Sequence, residues 1–547
     1  MKKVFGTIHQ FFSGGGINGR KMAGAGFLNA LLRQDPFDRY DFFVENGAEF
    51  HDELERRELS AVRRGAVRIL PRVALPGQLK ENVYHAFHLS AFRPEFPAMC
   101  AVRNAHARNF FPVTAVNHTI SSPYFTADFL FHLTPLFSPR DAVGANSTSS
   151  ARLIRNWQAA IRTALGAESL SGSGPHLEVI PMGVEPEALP QPDPERRASM
   201  RARLGLAPDS VAVLLFGRFS LEDKLDPQPL LSAITRARLL DSAPDLQLIV
   251  SGACNPADPA LALFRTMALV MGVPLHILPN PSPEERLAVY SAADIFVSPS
   301  DNMQETFGLT LLEAGAAELP AVVSDWDGYR DIIVHDETGF LVPVLAPDRT
   351  EVLDCLAPVL AVGEAQLMRA QQTAMDVPTL AKALYALGKL PDMRRSMGRK
   401  ARDRVLRHFT CDAVVRRWIE LWDRLNAVPL PEEEKDRLRG VRSPLQLPYG
   451  EIFAHYAAES FSSDLRVRCS MFGEMLLQGL LPLETFGLFS ELGLSFDLLK
   501  PLLEACRQPV TAGELERIFS ALQPGRELCD LRFYLLWGLK HDLLERA

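Results

Sequence analysis

Residues 298–343 read SPSDNMQETFGLTLLEAGAAELPAVVSDWDGYRDIIVHDETGFLVP, and they set two carboxylates, Glu305 and Glu313, around a glycine-bearing turn into a helix. The apolar run 293–298 (ADIFVS) reads as a buried strand, 299–302 as the loop leaving its carboxyl end, and 309–317 as a helix. Ligands of open α/β sheets bind at such strand ends. Amides at a helix start have no intrahelical acceptor, so those of Phe307, Gly308 and Leu309 are expected to point, with the positive end of the helix dipole, toward a phosphate. Gly308 permits close approach. A carboxylate is a poor neighbour for a diphosphate and a good acceptor for hydroxyls, so Glu305 and Glu313 are expected to grip hydroxyls, which a hexose and a ribose both offer.

Upstream, 211–219 (VAVLLFGRF) reads as a strand running into a loop and helix that carry Arg218 and Lys224. When a nucleoside diphosphate leaves an anomeric carbon, negative charge grows on the bridging oxygen. A positioned guanidinium and ammonium can stabilise that charge without a metal.

The spacing of Glu305 and Glu313, followed by LP-A-VVSD, G-Y-R-D and ETGFLVP, resembles the retaining glycosyltransferases of the GT-B fold, family 4. Arg218 and Lys224 resemble that family's donor-phosphate motif, with a loop between them one residue longer than the commonest version. The resemblance covers residues 1–427 and implies a role for each matching residue. Glu305 would lie by the donor hexose and Glu313 on the nucleotide ribose. His118, ending the predicted strand 111–118, would border the sugar, with His88 and His106 as alternatives in the same half. Arg218, Lys224 and the amides of Phe307, Gly308 and Leu309 would hold the leaving diphosphate, approached by the glycine loop at Gly15 and Gly16. The implied activity is transfer of a sugar, with retention, from a UDP- or GDP-sugar to a hydroxyl of a glycan, lipid-linked or protein acceptor, in glycan biosynthesis. The implied catalytic set is His118, Glu305, Arg218 and Lys224, with no metal and no cofactor besides the donor. Met182, where asparagine is frequent, and Asp331, where glutamate is common, depart from the pattern.

With 547 residues and 47% hydrophobic content, the chain can bury more than one core. Alternation of apolar strands and helix-period segments to about residue 427 fits two doubly wound, Rossmann-like α/β domains facing across a cleft. The expected division is 1–190, an acceptor-side domain, and 207–427, a nucleotide-sugar donor domain with closing helices that return to the first. The proline-rich stretch 185–196 would link them. In the first domain, strands are expected at 4–12, 111–118, 141–147 and 176–184. In the second they are expected at 212–216, 246–251, 295–298 and 321–324.

From Pro429 an acidic linker (PLPEEEKDRL) leads into a helical appendage, 430–547, with a capping box at Thr511 and Glu514. Leu531, Leu535, Leu536, Leu539 and Leu543 line one side of its last helix. Protein docking, self-association and acceptor delivery are the roles such an appendage suggests.

The seven scattered cysteines contain no CxxC pair, so a reducing cytoplasm is expected rather than a disulfide framework or a zinc site. No run of eighteen apolar residues occurs, so neither a spanning helix nor a secretory signal is expected. A net charge of −8 argues against a general nucleic-acid binder. Arg56, Arg57, Arg63, Arg64, Arg68 and Arg72 form one basic stretch, which reads as a solvated face or as a peripheral contact with anionic lipid or a phosphorylated acceptor.

Two readings from other classes remain. Gly14, Gly16 and Gly19, with Asp38 about twenty residues on, satisfy the dinucleotide fingerprint and suit an NAD-dependent oxidoreductase. A non-catalytic scaffold that binds sugar nucleotides is the other. A dehydrogenase would give no reason for Arg218, Lys224, Glu305 and Glu313 to occur in this order.

Overall fold

The computed structural model describes residues 2–11, 19–45, 47–57, 59–166, 170, 172–222, 224–255, 257, 259–486, 495–522 and 528–547. Two compact units divide the chain. One comprises Met1–Phe42, Ala48–Arg68 and Asn82–Val441, the other Phe43–Gly47, Ile69–Glu81 and Arg442–Ala547.

The first sheet has seven strands: β1 Val4–Thr7, β2 Arg39–Phe43, β3 Val67–Leu70, β4 Ala86–Leu89, β5 Val113–Val116, β6 Ala142–Ala145 and β7 His176–Val179, in the order β3-β2-β1-β4-β5-β6-β7. The pairs from β2 through β7 are parallel, and the order reverses between β1 and β4. β1, β4 and β6 are buried along their whole length, as a parallel sheet covered on both faces requires. The strand expected at 4–12 ends at Thr7, whose hydroxyl accepts the His9 amide, and Phe11 has φ 62°, which no strand continues through. The strand expected at 111–118 is shorter as well, so His118 lies in the loop beyond β5.

The second sheet has six strands: β8 Val211–Phe216, β9 Leu246–Gly252, β10 Leu275–Pro279, β11 Ile295–Ser298, β12 Ala321–Ser324 and β13 Gly339–Val342. Their order is β10-β9-β8-β11-β12-β13, parallel throughout, with its reversal between β8 and β11. After β13 a two-stranded hairpin, β14 Val344–Leu345 with β15 Ala374–Met375, frames the helices Glu351–Leu356 and Val362–Ala370.

The helix Cys411–Ala427 returns to the first sheet, which joins the two sheets into one unit. The ring of Trp418 lies so close to Gly144 of β6 that a β-carbon there would sit 2.4 Å from it. Trp422 donates its indole N–H to Thr114 Oγ1 of β5 at 2.9 Å. The acidic stretch after Pro429, read as a linker, instead forms the helix Glu432–Gly440 within this unit, because Leu438 is buried with Phe110 and Leu430.

In the second unit helices pack around Val467, Leu499, Leu503, Leu515, Phe519 and Leu531. The expected capping box is present: Thr511 N–H donates to Glu514 Oε2 at 2.9 Å and Glu514 N–H to Thr511 Oγ1 at 3.2 Å. Leu531, Leu535 and Leu543 are buried, whereas Leu536 is 49% exposed and falls outside the packed stripe. A short antiparallel sheet, β16 Arg466–Cys469 between β17 Val510–Thr511 and β18 Leu544–Arg546, supplies what little strand structure this mainly helical region has.

Among the described residues, five of the six arginines of the basic stretch are ion-paired. Arg56 and Arg57 meet Glu53, Arg64 meets Asp35, Arg68 meets Asp41 and Arg72 meets Glu45. Among the described residues no helix is long and apolar enough to cross a membrane.

Candidate functional site

At the reversal between β8 and β11 two strands send their chains to opposite sides, which leaves a crevice at their carboxyl ends. Arg218 follows β8 and Glu305 follows β11, and both line one pocket there with Lys224, Ser298, Thr310 and Tyr329. Lys224 Nζ donates to Glu305 Oε2 at 3.3 Å, which fixes the register of the longer loop. That loop is fastened to the one carrying Glu305: Asn302 Nδ2 donates to Glu222 O at 2.7 Å and Ser300 Oγ to Lys224 O at 3.4 Å. Arg218 also borders an adjoining cleft of about 590 Å³ whose other walls include Cys254, Asn280 and Gln366.

The helix after Glu305, Leu309–Ala316, starts at Gly308, which has φ 109°. A β-carbon there would lie 2.6 Å from the Tyr329 ring, so both the conformation and the space demand glycine. Thr310 in the first turn brings this helix end to the pocket, while the Phe307 side chain is fully buried, its ring tilted against that of Phe409. Tyr329 is held by its hydroxyl 2.6 Å from Ser298 Oγ. Glu313 sits further along the helix, paired with Arg286 at 3.1 Å and 3.3 Å. Burial raises its carboxyl above the ordinary value and the Arg286 guanidinium opposes that rise.

The first sheet's reversal is occupied by its own hydrogen bonds. Ser90 N–H, after β4, donates to His9 Nδ1 at 2.9 Å, and His118 Nε2 lies 2.8 Å from Ser90 O. Asn117 and Asn146 carry this network toward the second sheet: Asn146 N–H donates to Asn117 Oδ1 at 2.7 Å and Asn146 Nδ2 to Thr306 Oγ1 at 3.1 Å. Thr306 is next to Glu305, so the His118 loop and the Glu305 loop are joined through two asparagines. His88 is buried against Trp418, bonded to Thr114 Oγ1, and burial pushes its imidazole down to about 3, which suits a packed neutral ring. His106 lies in the last turn of the helix Glu95–His106. Gly14, Gly15 and Gly16 lie outside the described residues.

Sequence reasoning missed the bond from Asn146 to Thr306, the Tyr329 wall of the pocket and the buried carboxyls Asp301 and Asp327. The sequence marks Asn146 only as an asparagine following the run 142–145. Burial pushes both Asp301 and Asp327 up to about 7, and at Asp327 the charge of Glu305 adds to the effect. Asp331, one of the departures, accepts the Thr148 amide N–H across the two sheets' loops. Met182, the other, packs against the second sheet's core.

Two Rossmann-like sheets with a charged crevice at the second reversal define the GT-B class. A glycosyltransferase from Rickettsia africae ESF-5, 13% identical, superposes with a TM-score of 0.51 over 78% of this chain and 100% of its own, and shows the same fold. Residues 197–351 match the model of the family Glycosyl transferases group 1. The chain is 33% identical over 172 residues, 30% of this chain and 39% of the relative, to the D-inositol 3-phosphate glycosyltransferase of Xylanimonas cellulosilytica. To the protein of that name from Corynebacterium glutamicum it is 30% identical over 215 residues, 38% of this chain and 49% of the relative. The matched part thus spans less than half the length of these curated relatives.

Proposed function

We propose that the protein is a retaining glycosyltransferase that moves a hexose from a UDP- or GDP-sugar to an acceptor hydroxyl. The observation that carries this reading is the pocket at the β8/β11 reversal, where Arg218 and Lys224 meet Glu305. Residues 1–190 serve the acceptor and 207–427 the donor, and the appendage begins at Arg442, after the helix Glu432–Gly440.

In this mechanism Arg218, Lys224 and the amides at the start of the helix Leu309–Ala316 stabilise charge on the departing diphosphate. Glu305, oriented by Lys224, accepts a hexose hydroxyl, and Glu313, held by Arg286, accepts from the ribose. Departure and attack occur on one face of the sugar, and the leaving phosphate oxygen takes the acceptor proton, so the anomeric configuration is kept. His118 borders the sugar. Its bond to Ser90 O sets the ring's orientation and defines its Nε2 as the protonated nitrogen, since a carbonyl only accepts.

The test is transfer from UDP-glucose and GDP-mannose to a panel of acceptors that includes D-inositol 3-phosphate, the acceptor in the relatives' name. Proton NMR reads the new anomeric linkage. An α-linked product from an α-donor, lost in Lys224→Ala, is the expected result. Tight nucleotide binding without product from any pair would instead favour the scaffold.

A further inference from the structure

Residues 344–375 leave the second sheet and return to the point they left. Asp376 N–H donates to Pro343 O at 2.9 Å, and the hairpin of β14 and β15 pairs Val344 with Met375 and Leu345 with Ala374. The chain could therefore pass from β13 to the helix Val377–Lys389 without the two helices between. What this excursion adds lies in the contacts of its second helix, Val362–Ala370.

Val362, Gly363 and Gln366 form one wall of the cleft that Arg218 borders. A β-carbon at Gly363 would lie 2.5 Å from Glu222 Oε2, and Gln371, just past the helix, donates from Nε2 to Asp226 Oδ2 at 3.3 Å. Glu222 and Asp226 lie two residues to either side of Lys224, so the excursion meets the Lys224 loop on both flanks. The same helix reaches the other half of the site. Gln366 is 3% exposed and donates from Nε2 to Ser121 Oγ at 3.1 Å. Ser121 is itself buried, three residues beyond His118.

His118 is bonded to Ser90 after β4, and Lys224 to Glu305 after β11. Each bond fixes its residue within its own half, and neither sets one half's loop against the other. Bonds between the loops do that. The bond from Asn146 to Thr306 is one, and that from Gln366 to Ser121 is another, made by an element that also meets the Lys224 loop. Stranding a buried amide costs more than an ordinary bond returns, so this link resists separation of its two ends.

We propose that residues 344–375 are a positioning element and Gln366 a positioning residue, which acts through Ser121 to hold the His118 loop in register with the Lys224 loop. The proposal rests on the transferase reading. With the link made, His118 and Lys224 meet one bound sugar in a fixed geometry, and misplacing such groups costs turnover more than binding.

The experiment makes two measurements on the full chain. One is deuterium uptake by peptides covering 118–122; the other is steady-state transfer from UDP-glucose and GDP-mannose to the acceptor panel above. Gln366→Ala, Ser121→Ala, the double variant and Ser121→Thr are compared, with thermal unfolding and the Kd for UDP and GDP as controls. Gln366→Ala should speed exchange at 118–122 about fivefold, as one lost bond does, and lower kcat about tenfold. Nucleotide Kd should stay within about twofold. Because the two side chains make one link, the double variant should be no slower than either single. Ser121→Thr keeps a hydroxyl for Gln366 and should retain most of the wild-type kcat. An unchanged kcat in Gln366→Ala overturns the assignment. So do single losses that add in the double variant, or a nucleotide affinity that falls as far as kcat. A wild-type chain that transfers from neither donor removes the transferase reading itself, a failure seen before any variant is compared.

Discussion

The two sheets share a topology and differ in what occupies the point where strand order reverses. In the first, His9, Ser90 and His118 bond to one another across β1, β4 and β5. In the second, Arg218, Lys224 and Glu305 line one pocket. The same crevice is thus a tie in one half and a charged receptacle in the other. Architecture supplies the place, and the residues that follow the strands decide its chemistry.

Substitutions break this comparison to different degrees. Lys224→Ala removes a cation from the receptacle and should lower kcat for transfer by about 10² to 10³. A loss under tenfold in steady-state assays would put the chemistry elsewhere. Arg286→Ala strands the buried Glu313 carboxylate and should cost about 4 kcal/mol in denaturant unfolding.

A smaller effect comes from pH. Burial raises Asp301 from 3.8 to about 7, so the folded chain holds an extra proton between those values. Stability contributed by this group therefore falls as pH rises from about 4 to about 7 and is level above. Asp301→Asn should flatten that slope and stabilise the protein at pH 8 by on the order of 2 kcal/mol, read from chemical denaturation across pH. On the side of the tie, His118→Ala gives up its bond to Ser90 O and should cost about 1 kcal/mol in thermal unfolding, with a smaller fall in transfer than Lys224→Ala.

How much of this was legible in the sequence varied with the kind of residue. β11 and β12 fall at the expected residues because each is a continuous apolar run closed by serine. The glycine at 308 and the carboxylates flanking it were legible because their spacing along one short segment already defines the turn. β2 was hidden by Asp41, a fully buried carboxylate in mid-strand that Arg68 and Tyr84 satisfy from distant parts of the chain. Strand patterns assume apolar buried positions, and a charge balanced through tertiary contacts defeats them. The short β16 to β18 failed for a related reason, since two to four residues hold too little pattern to separate a strand from a helix end. Asn146 meets Thr306, the neighbour of Glu305, only through folding. No spacing along the chain records that proximity.

The central claim, that the second reversal holds a sugar nucleotide, is tested most directly by thermal unfolding with UDP-, GDP- and ADP-sugars and NAD. A ligand that binds only the folded chain stabilises it by roughly 2.7 kcal/mol at one hundred times Kd. The account predicts stabilisation by one sugar nucleotide, reduced in Arg218→Ala and Glu313→Ala. Stabilisation by NAD alone, untouched by either substitution, would contradict it and return the site to the glycine loop of the first half.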